Sequence, residues 1–183
     1  GLQLMLDLLE DDLEPKEHMV LQTERLQSLV EGLLKHIQLE AKSIAMKPET
    51  ISSQELISKL ITMVHTDLTI NTELEDFSFK VDIKWTLEAL FNVLNNKLSF
   101  ANKIISIKAY SNKLYYIIEI SDDGEAIEAK DRNHLFERFY KGTNSTSNSV
   151  GIGLAISQEI MNLQNGRIRI EDTNTFQFLF TKE

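Results

Sequence analysis

The stretch Asp82–Ala101, DIKWTLEALFNVLNNKLSFA, constrains this chain most, because it reads as a helix carrying residues that helices disfavour. Asp82 suits the N-cap, where a carboxylate accepts from an orphan backbone N–H of the first turn. Leu87, Leu90, Phe91, Leu94 and Leu98 then recur at helical spacing and predict one apolar face. On the same helix stand Asn92, Asn95 and Asn96, although asparagine is a poor residue for a helix interior. Asn92 and Asn96 lie one turn apart, which places their Cβ atoms about 5–6 Å from each other. A solvated polar face accounts for such a pair. So does a pair of amide oxygens turned toward a hard cation and a polyphosphate, since Mg²⁺ takes few protein ligands and leans on phosphate oxygens. The helix alone leaves both readings open.

The length of 183 residues suits one large domain, or one domain with an appendage, and is ample for a core. A formal net charge of −9 argues against nucleic acid or an anionic membrane surface as the main partner. There is no cysteine, which excludes disulfides, thiolate metal sites and cysteine nucleophiles. No apolar run approaches the length of a membrane span. No membrane contact is expected of these residues.

Residues 2–13, LQLMLDLLEDDL, read as the tail of a helix already under way. Asp11–Glu14 form a polar turn, and Pro15 fits the first turn of a second helix, where its missing N–H costs nothing. Along that helix Met19, Leu26, Val30, Leu33, Ile37 and Ile44 fall on one heptad stripe. Such a seam predicts a helical hairpin that buries its stripe by dimerising into a four-helix bundle. Lys47-Pro48 marks the domain boundary, since the residue before proline is disfavoured in a helix. A helix is expected from Ser52-Ser53 to about Thr66, with Leu56, Ile57, Leu60, Ile61 and Val64 inward. Strands are expected at 77–81, 104–110, 114–120, 167–171 and 175–180, and a helix at 151–163. The pattern is α+β: helices on one face of a mixed, mostly antiparallel sheet, preceded by an all-α hairpin.

Three further stretches carry chemistry. In ISDDGEAI, Asp122 ends a strand, where its carboxylate could accept from an exocyclic amine, and Gly124 lets the backbone pass close to a planar ring. An ordinary acidic turn has the same letters. LFERFYKG sets Leu135, Phe136 and Phe139 around Arg138, Tyr140 and Lys141, which could offer cations to a phosphate or simply solvate a core aromatic pair. After the polar run GTNSTSNS, VGIGLAISQEI places Gly151 and Gly153 at the start of an amphipathic helix. Free backbone N–H groups and the positive end of the helix dipole make that start an anion site.

NVLNN, DDGEAI, LFERFYKG and GIGLAI occur in that order and at suitable spacing. They resemble the N, G1, F and G2 boxes of the ATP-binding domain of bacterial sensor histidine kinases, within the group shared with gyrase, Hsp90 and MutL. RLQSLVEGLLKHIQLE (Arg25–Glu40) resembles the second helix of the kinases' dimerisation and phosphotransfer hairpin. The resemblance implies a two-layer, Bergerat-type ATP-binding fold over 47–183 and a partial hairpin over 1–46. It further implies that Asn96 and Asn92 hold Mg²⁺ and the phosphates, that Asp122 reads the adenine amine, and that Gly124 and Ala126 lie beside the ring. Arg138, with Phe139, Tyr140 and Lys141, would serve the γ-phosphate end. The backbone from Gly151 through Ile152 and Gly153 to Leu154 would cradle phosphates.

The implied reaction is transfer of the ATP γ-phosphate to a histidine on the hairpin, and thence to an aspartate on a response-regulator receiver domain. A homodimer through the hairpin, a cytoplasmic placement and a membrane-anchored parent are implied as well.

The sequence departs from the family pattern at several positions. Lys97 stands where alanine is usual, Ser99 where a lysine is frequent, and Phe100 where tyrosine is usual. Ala126 replaces the second glycine of the G1 box, and Ser149 opens the G2 box. Lys97 lies about 100° round the helix from Asn96, so it is not expected to replace the lysine missing at Ser99. No histidine matches the phosphoacceptor: His18, His36, His65 and His134 all read as structural or exposed. The expectation is a chain that starts just past the acceptor and binds ATP without phosphorylating itself. The alternative is a degenerate, non-catalytic core used for dimerisation and protein recognition. A water-attacking ATPase of the wider group would want a glutamate where Asn92 stands, and gives the heptad hairpin no purpose.

Overall fold

The computed structural model describes residues 15–41, 44–142 and 151–182. The expected first hairpin helix, residues 2–13, lies outside the described residues, as do Ser149 and most of the polar run before it.

Helix α1 spans Pro15–Glu40, with Pro15 in its first turn. Met19, Leu26, Val30, Leu33 and Ile37 are all exposed along it, as a stripe awaiting a partner would be. The helix ends at Glu40, so Ile44 does not extend the stripe as expected; it turns inward with Met46 to pack against the main core. Leu39, fully buried, has already entered that core.

The chain then forms β1 (Glu49–Ser52), α2 (Ser53–Thr62), β2 (Thr69–Leu74) and β3 (Ser78–Val81). Ser52 caps α2 by accepting from the Glu55 N–H at 3.1 Å. Leu56, Ile57 and Leu60 are fully buried, as the periodicity predicts. The helix stops at Thr62 rather than near Thr66, because the chain must turn there to lay β2 beside a later strand. Sequence periodicity misses β1 and β2. The first is only four residues long, and the second is an edge strand with mostly exposed side chains, which need no alternation.

Helix α3 spans Ile83–Phe100 and begins as expected, with Asp82 accepting from the Trp85 N–H at 3.1 Å. The same carboxylate accepts from Lys47 N–H at 2.8 Å, tying the linker to the helix start. The buried face is rotated from the leucine stripe: Thr86, Ala89, Leu90, Val93, Leu94 and Lys97 point inward, while Leu87, Phe91 and Leu98 pack at its margin.

Strands β4 (Ile104–Ser111) and β5 (Tyr115–Asp122), the short helix α4 (Ala129–Arg132), helix α5 (Gly153–Leu163), and strands β6 (Arg167–Glu171) and β7 (Thr175–Thr181) follow. Five strands form one sheet in the order β2-β4-β5-β7-β6, parallel only between β2 and β4. β1 and β3 pair separately and antiparallel. In register, Ile107 faces Ile120, Ile118 faces Phe178 and Ile120 faces Phe176. These residues are buried on the sheet face that α2, α3 and α5 cover, each contributing about 1.5–3 kcal/mol of apolar burial. The opposite face carries a polar cluster, in which Glu119 accepts from the Tyr110 hydroxyl and the Gln177 amide, both at 2.7 Å. The result is a two-layer α+β sandwich with a mostly antiparallel sheet.

Candidate functional site

A cavity of about 680 Å³ opens between α3, the loop after β5, the F-box segment and the start of α5, and α1 adds Glu31, Gly32 and Lys35 to its wall. Lys35 Nζ reaches Glu88 of α3 at 2.7 Å, joining the two helices at the rim. Asn92, Asn96 and Lys97 line it from α3, so residues five positions apart, about 7.5 Å of helix rise, define two ends.

At the Asn92 end the backbone is close and uncapped. A Cβ on Gly153 would lie 3.6 Å from Asn92 Oδ1, so α5 starts against that side chain. Ile152, at the N-cap of α5, supplies no side-chain hydrogen bond to the first turn. The Asn92 amide nitrogen Nδ2 is buried and has no hydrogen-bond partner among the described residues, which is costly unless a ligand supplies one. Gly151 holds φ +77°, and a Cβ there would stand 2.6 Å from the Tyr140 carbonyl oxygen. Only glycine takes that position without strain. Gly151, Ile152, Gly153 and Leu154 all line the cavity.

The F-box segment divides its labour. Tyr140 and Lys141 line the cavity, whereas Arg138 and Phe139 are exposed and are not among its lining residues. Phe139 instead donates its backbone N–H to Gly151 O at 2.8 Å, hooking this segment to the start of the G2 box. The Tyr140 hydroxyl donates to Asp131 at 2.7 Å, and that bond raises its pKa above the ordinary phenol value.

The Lys97 end is closed by an internal network. The Asp122 carboxylate is fully buried; its Oδ1 accepts from Gly124 N–H at 2.6 Å and from the Asn174 amide at 2.8 Å. Oδ2 lies 2.8 Å from Lys97 Nζ, an ion pair whose angle falls outside hydrogen-bond geometry. Lys97 also donates to Asn174 Oδ1 and sits over the Phe176 ring, 5.1 Å from its centroid. Burial lowers the Lys97 pKa, and the attraction of Asp122 only partly offsets that. Asp122 and Gly124 are not among the cavity-lining residues, whereas Lys97, Asn174 and Ala126 are. Gly124 is required by the approach of the Phe100 carbonyl, into which a Cβ would run. Its neighbour Asp123 accepts from the Asn102, Lys103 and Ile104 amides, chiefly Lys103, which holds its pKa below the usual carboxylate value. The two aspartates of the motif therefore do different work: one is buried behind the pocket wall against Lys97 and Asn174, the other fastens the start of β4.

Sequence reasoning did not foresee the burial of Lys97 and overlooked Asn174. The signal for Lys97 was present, since it continues the buried series Thr86, Leu90, Val93 at helical spacing. Asn174 sits in a hairpin turn and carries no comparable mark. His65 is exposed, and His134 is exposed and pairs with Glu137 at 2.8 Å; the side chains of His18 and His36 lie outside the described set.

The donor set fits a hard cation that arrives with phosphate. Asn92, Asn95 and Asn96 line the cavity with amide side chains, and no group of three or more His, Cys, Asp or Glu suited to a metal occurs among the described residues. Such a wall holds Mg²⁺ only together with a ligand's own oxygens.

Comparison with known proteins gives the family. Residues 81–183 match the family model described as histidine kinase-, DNA gyrase B- and HSP90-like ATPase. The heme sensor protein HssS of Staphylococcus epidermidis is 36% identical over 115 residues, 62% of this chain and 25% of that protein. The signal transduction histidine-protein kinase ArlS of Staphylococcus aureus is 30% identical over 170 residues, 85% of this chain and 38% of that protein. The chain thus spans about a quarter to two-fifths of the length of these relatives. Among solved structures, the Acinetobacter baumannii histidine kinase AdeS superposes with a TM-score of 0.76 at 18% identity, covering 97% of this chain and 90% of that one. The catalytic domain of histidine kinase ThkA gives 0.65 at 19% identity, covering 75% and 99%. The chain belongs to the family of histidine kinase-, DNA gyrase B- and HSP90-like ATPases.

Proposed function

We propose that this core binds ATP with Mg²⁺ and presents the γ-phosphate to a histidine on a dimerisation hairpin, from which the phosphoryl group passes to a response-regulator aspartate. The observation that carries the reading is the Asn92 end of the cavity, where a buried, unpartnered amide faces an uncapped helix start. Asn96 and Asn92 would hold the cation, which neutralises phosphate charge when bound. The amides of Gly151, Ile152, Gly153 and Leu154 would receive phosphate oxygens, with Lys141 a cation on the same cavity wall. The residues of this chain act by positioning and charge neutralisation, as phosphoryl transfer requires. Asp122, behind Lys97, is the acceptor at the base end.

Homodimerisation through α1 is supported by its exposed stripe, in which Met19 is 69% and Leu26 63% exposed. Among the described side chains, His65 and His134 are both exposed, and His134 pairs with Glu137. No helix among the described residues is long and apolar enough to cross a membrane. Calorimetric titration with a non-hydrolysable ATP analogue, with and without Mg²⁺, tests the reading. Saturable, Mg²⁺-dependent binding is expected. Absence of binding at millimolar nucleotide would overturn it in favour of an interaction scaffold.

A further inference from the structure

The base end of the cavity has an unusual hydrogen-bond polarity. A purine with a 6-amino group brings an N–H₂ donor and needs an acceptor on the wall. Asp122 is the acceptor in place, yet its side chain is fully buried and both of its oxygens are engaged from within. What the cavity meets instead is Lys97, together with Asn174. The Asn174 oxygen is itself taken by Lys97. The ammonium occupies the position of an amine donor, ion-paired with Asp122, hydrogen-bonded to Asn174 and lying over the Phe176 ring.

The geometry points to Lys97 as a specificity-determining residue: by taking Asp122 and Asn174, it removes the preference of the base end for a 6-amino over a 6-oxo purine. This rests on the nucleotide-binding reading above. An incoming adenine must displace a buried ammonium or set its amine against another donor. A 6-oxo group sets an acceptor against that ammonium and leaves the ion pair in place. Binding free energy then comes from the phosphate end, which is the same for both nucleotides, and the base contributes stacking and shape without reading the amine.

Mg²⁺-ADP and Mg²⁺-GDP titrated calorimetrically into the unsubstituted chain, Lys97→Ala and Lys97→Met test this. The unsubstituted chain is expected to bind the two diphosphates within about threefold of each other. In either variant Asp122 is released to accept the amine, and ADP is expected to tighten about tenfold relative to GDP, the value of one hydrogen bond to a charged acceptor. Circular dichroism identifies which variant is folded, and Lys97→Met keeps the side-chain volume if alanine opens the core. A preference for ADP above about tenfold in the unsubstituted chain would overturn the inference, because Lys97 would then not mask Asp122. So would an unchanged ADP-to-GDP ratio in a folded variant, while leaving nucleotide binding itself intact. Binding of neither diphosphate by any of the three proteins would overturn both readings together.

Discussion

The two ends of the cavity lie on the same helix and are built on opposite terms. At Asn92 a polar group is buried without a partner, and the start of α5 lacks a side-chain cap. At Lys97 the buried charges are paired inside the protein: Lys97 lies against Asp122 Oδ2 as an ion pair and donates to Asn174, and Asp122 Oδ1 accepts from Gly124 and Asn174. The first end is unfinished and gains by receiving oxygens and charge. The second is complete and must be broken into. Affinity and discrimination can therefore reside in different places in one pocket, with α3 carrying both.

The comparison is most severely tested at Asn96. Replacing it by alanine is expected to weaken Mg²⁺-dependent nucleotide binding by about a hundredfold or more, since charge-assisted contacts are worth about 1.5–3 kcal/mol each. Circular dichroism should be unchanged. Calorimetry with equal affinity in the variant would remove the asparagine from the metal assignment.

At the closed end, Gly124→Ala is expected to cost about 2–3 kcal/mol of stability, because its Cβ would run into the Phe100 carbonyl and displace the Asp122 turn. A denaturant midpoint unchanged from the parent would show that this turn yields more easily than the close packing indicates. Asn92→Ala separates the ends differently. Nucleotide affinity should fall about tenfold, while stability without nucleotide stays level or rises by about 1 kcal/mol, because an unsatisfied buried donor has been removed. A loss of stability with no loss of affinity would mean that Asn92 supports the fold instead. The smallest effect belongs to the rim. Lys35 and Glu88 are both partly exposed, and Lys35→Ala should change stability by less than about 0.5 kcal/mol in a chemical melt.

The sequence announced the open end far better than the closed one. Asn92, Asn96, Gly151 and Gly153 stand out because each is a poor choice for its local element unless something binds there, and the cavity gathers all four. The antiparallel strands β4 and β5 were legible as β-rich runs split by a turn signal, and β6 and β7 followed as the last two runs; β4 buries alternate residues, whereas β7 is buried at five consecutive positions. The edge strand β2 was not legible, because its exposed side chains leave the pairing to the backbone. Lys97 escaped for a different reason. A lysine reads as a surface residue, and its burial depends on Asp122, Asn174 and Phe176, which lie far away in sequence. Pairwise charge satisfaction across the fold has no local period. The Phe139 backbone hook onto Gly151 is likewise tertiary, and the residue types that flank it predict only a turn.

The most direct test of this division is the affinity of adenosine set beside that of ADP, each titrated with and without Mg²⁺. If the phosphate end supplies the binding, Mg²⁺-ADP will saturate the site, its affinity will fall when Mg²⁺ is removed, and adenosine will show no binding at millimolar concentration. Adenosine binding within about tenfold of Mg²⁺-ADP would contradict the account, because the affinity would then have to come from the end that the protein has already closed upon itself.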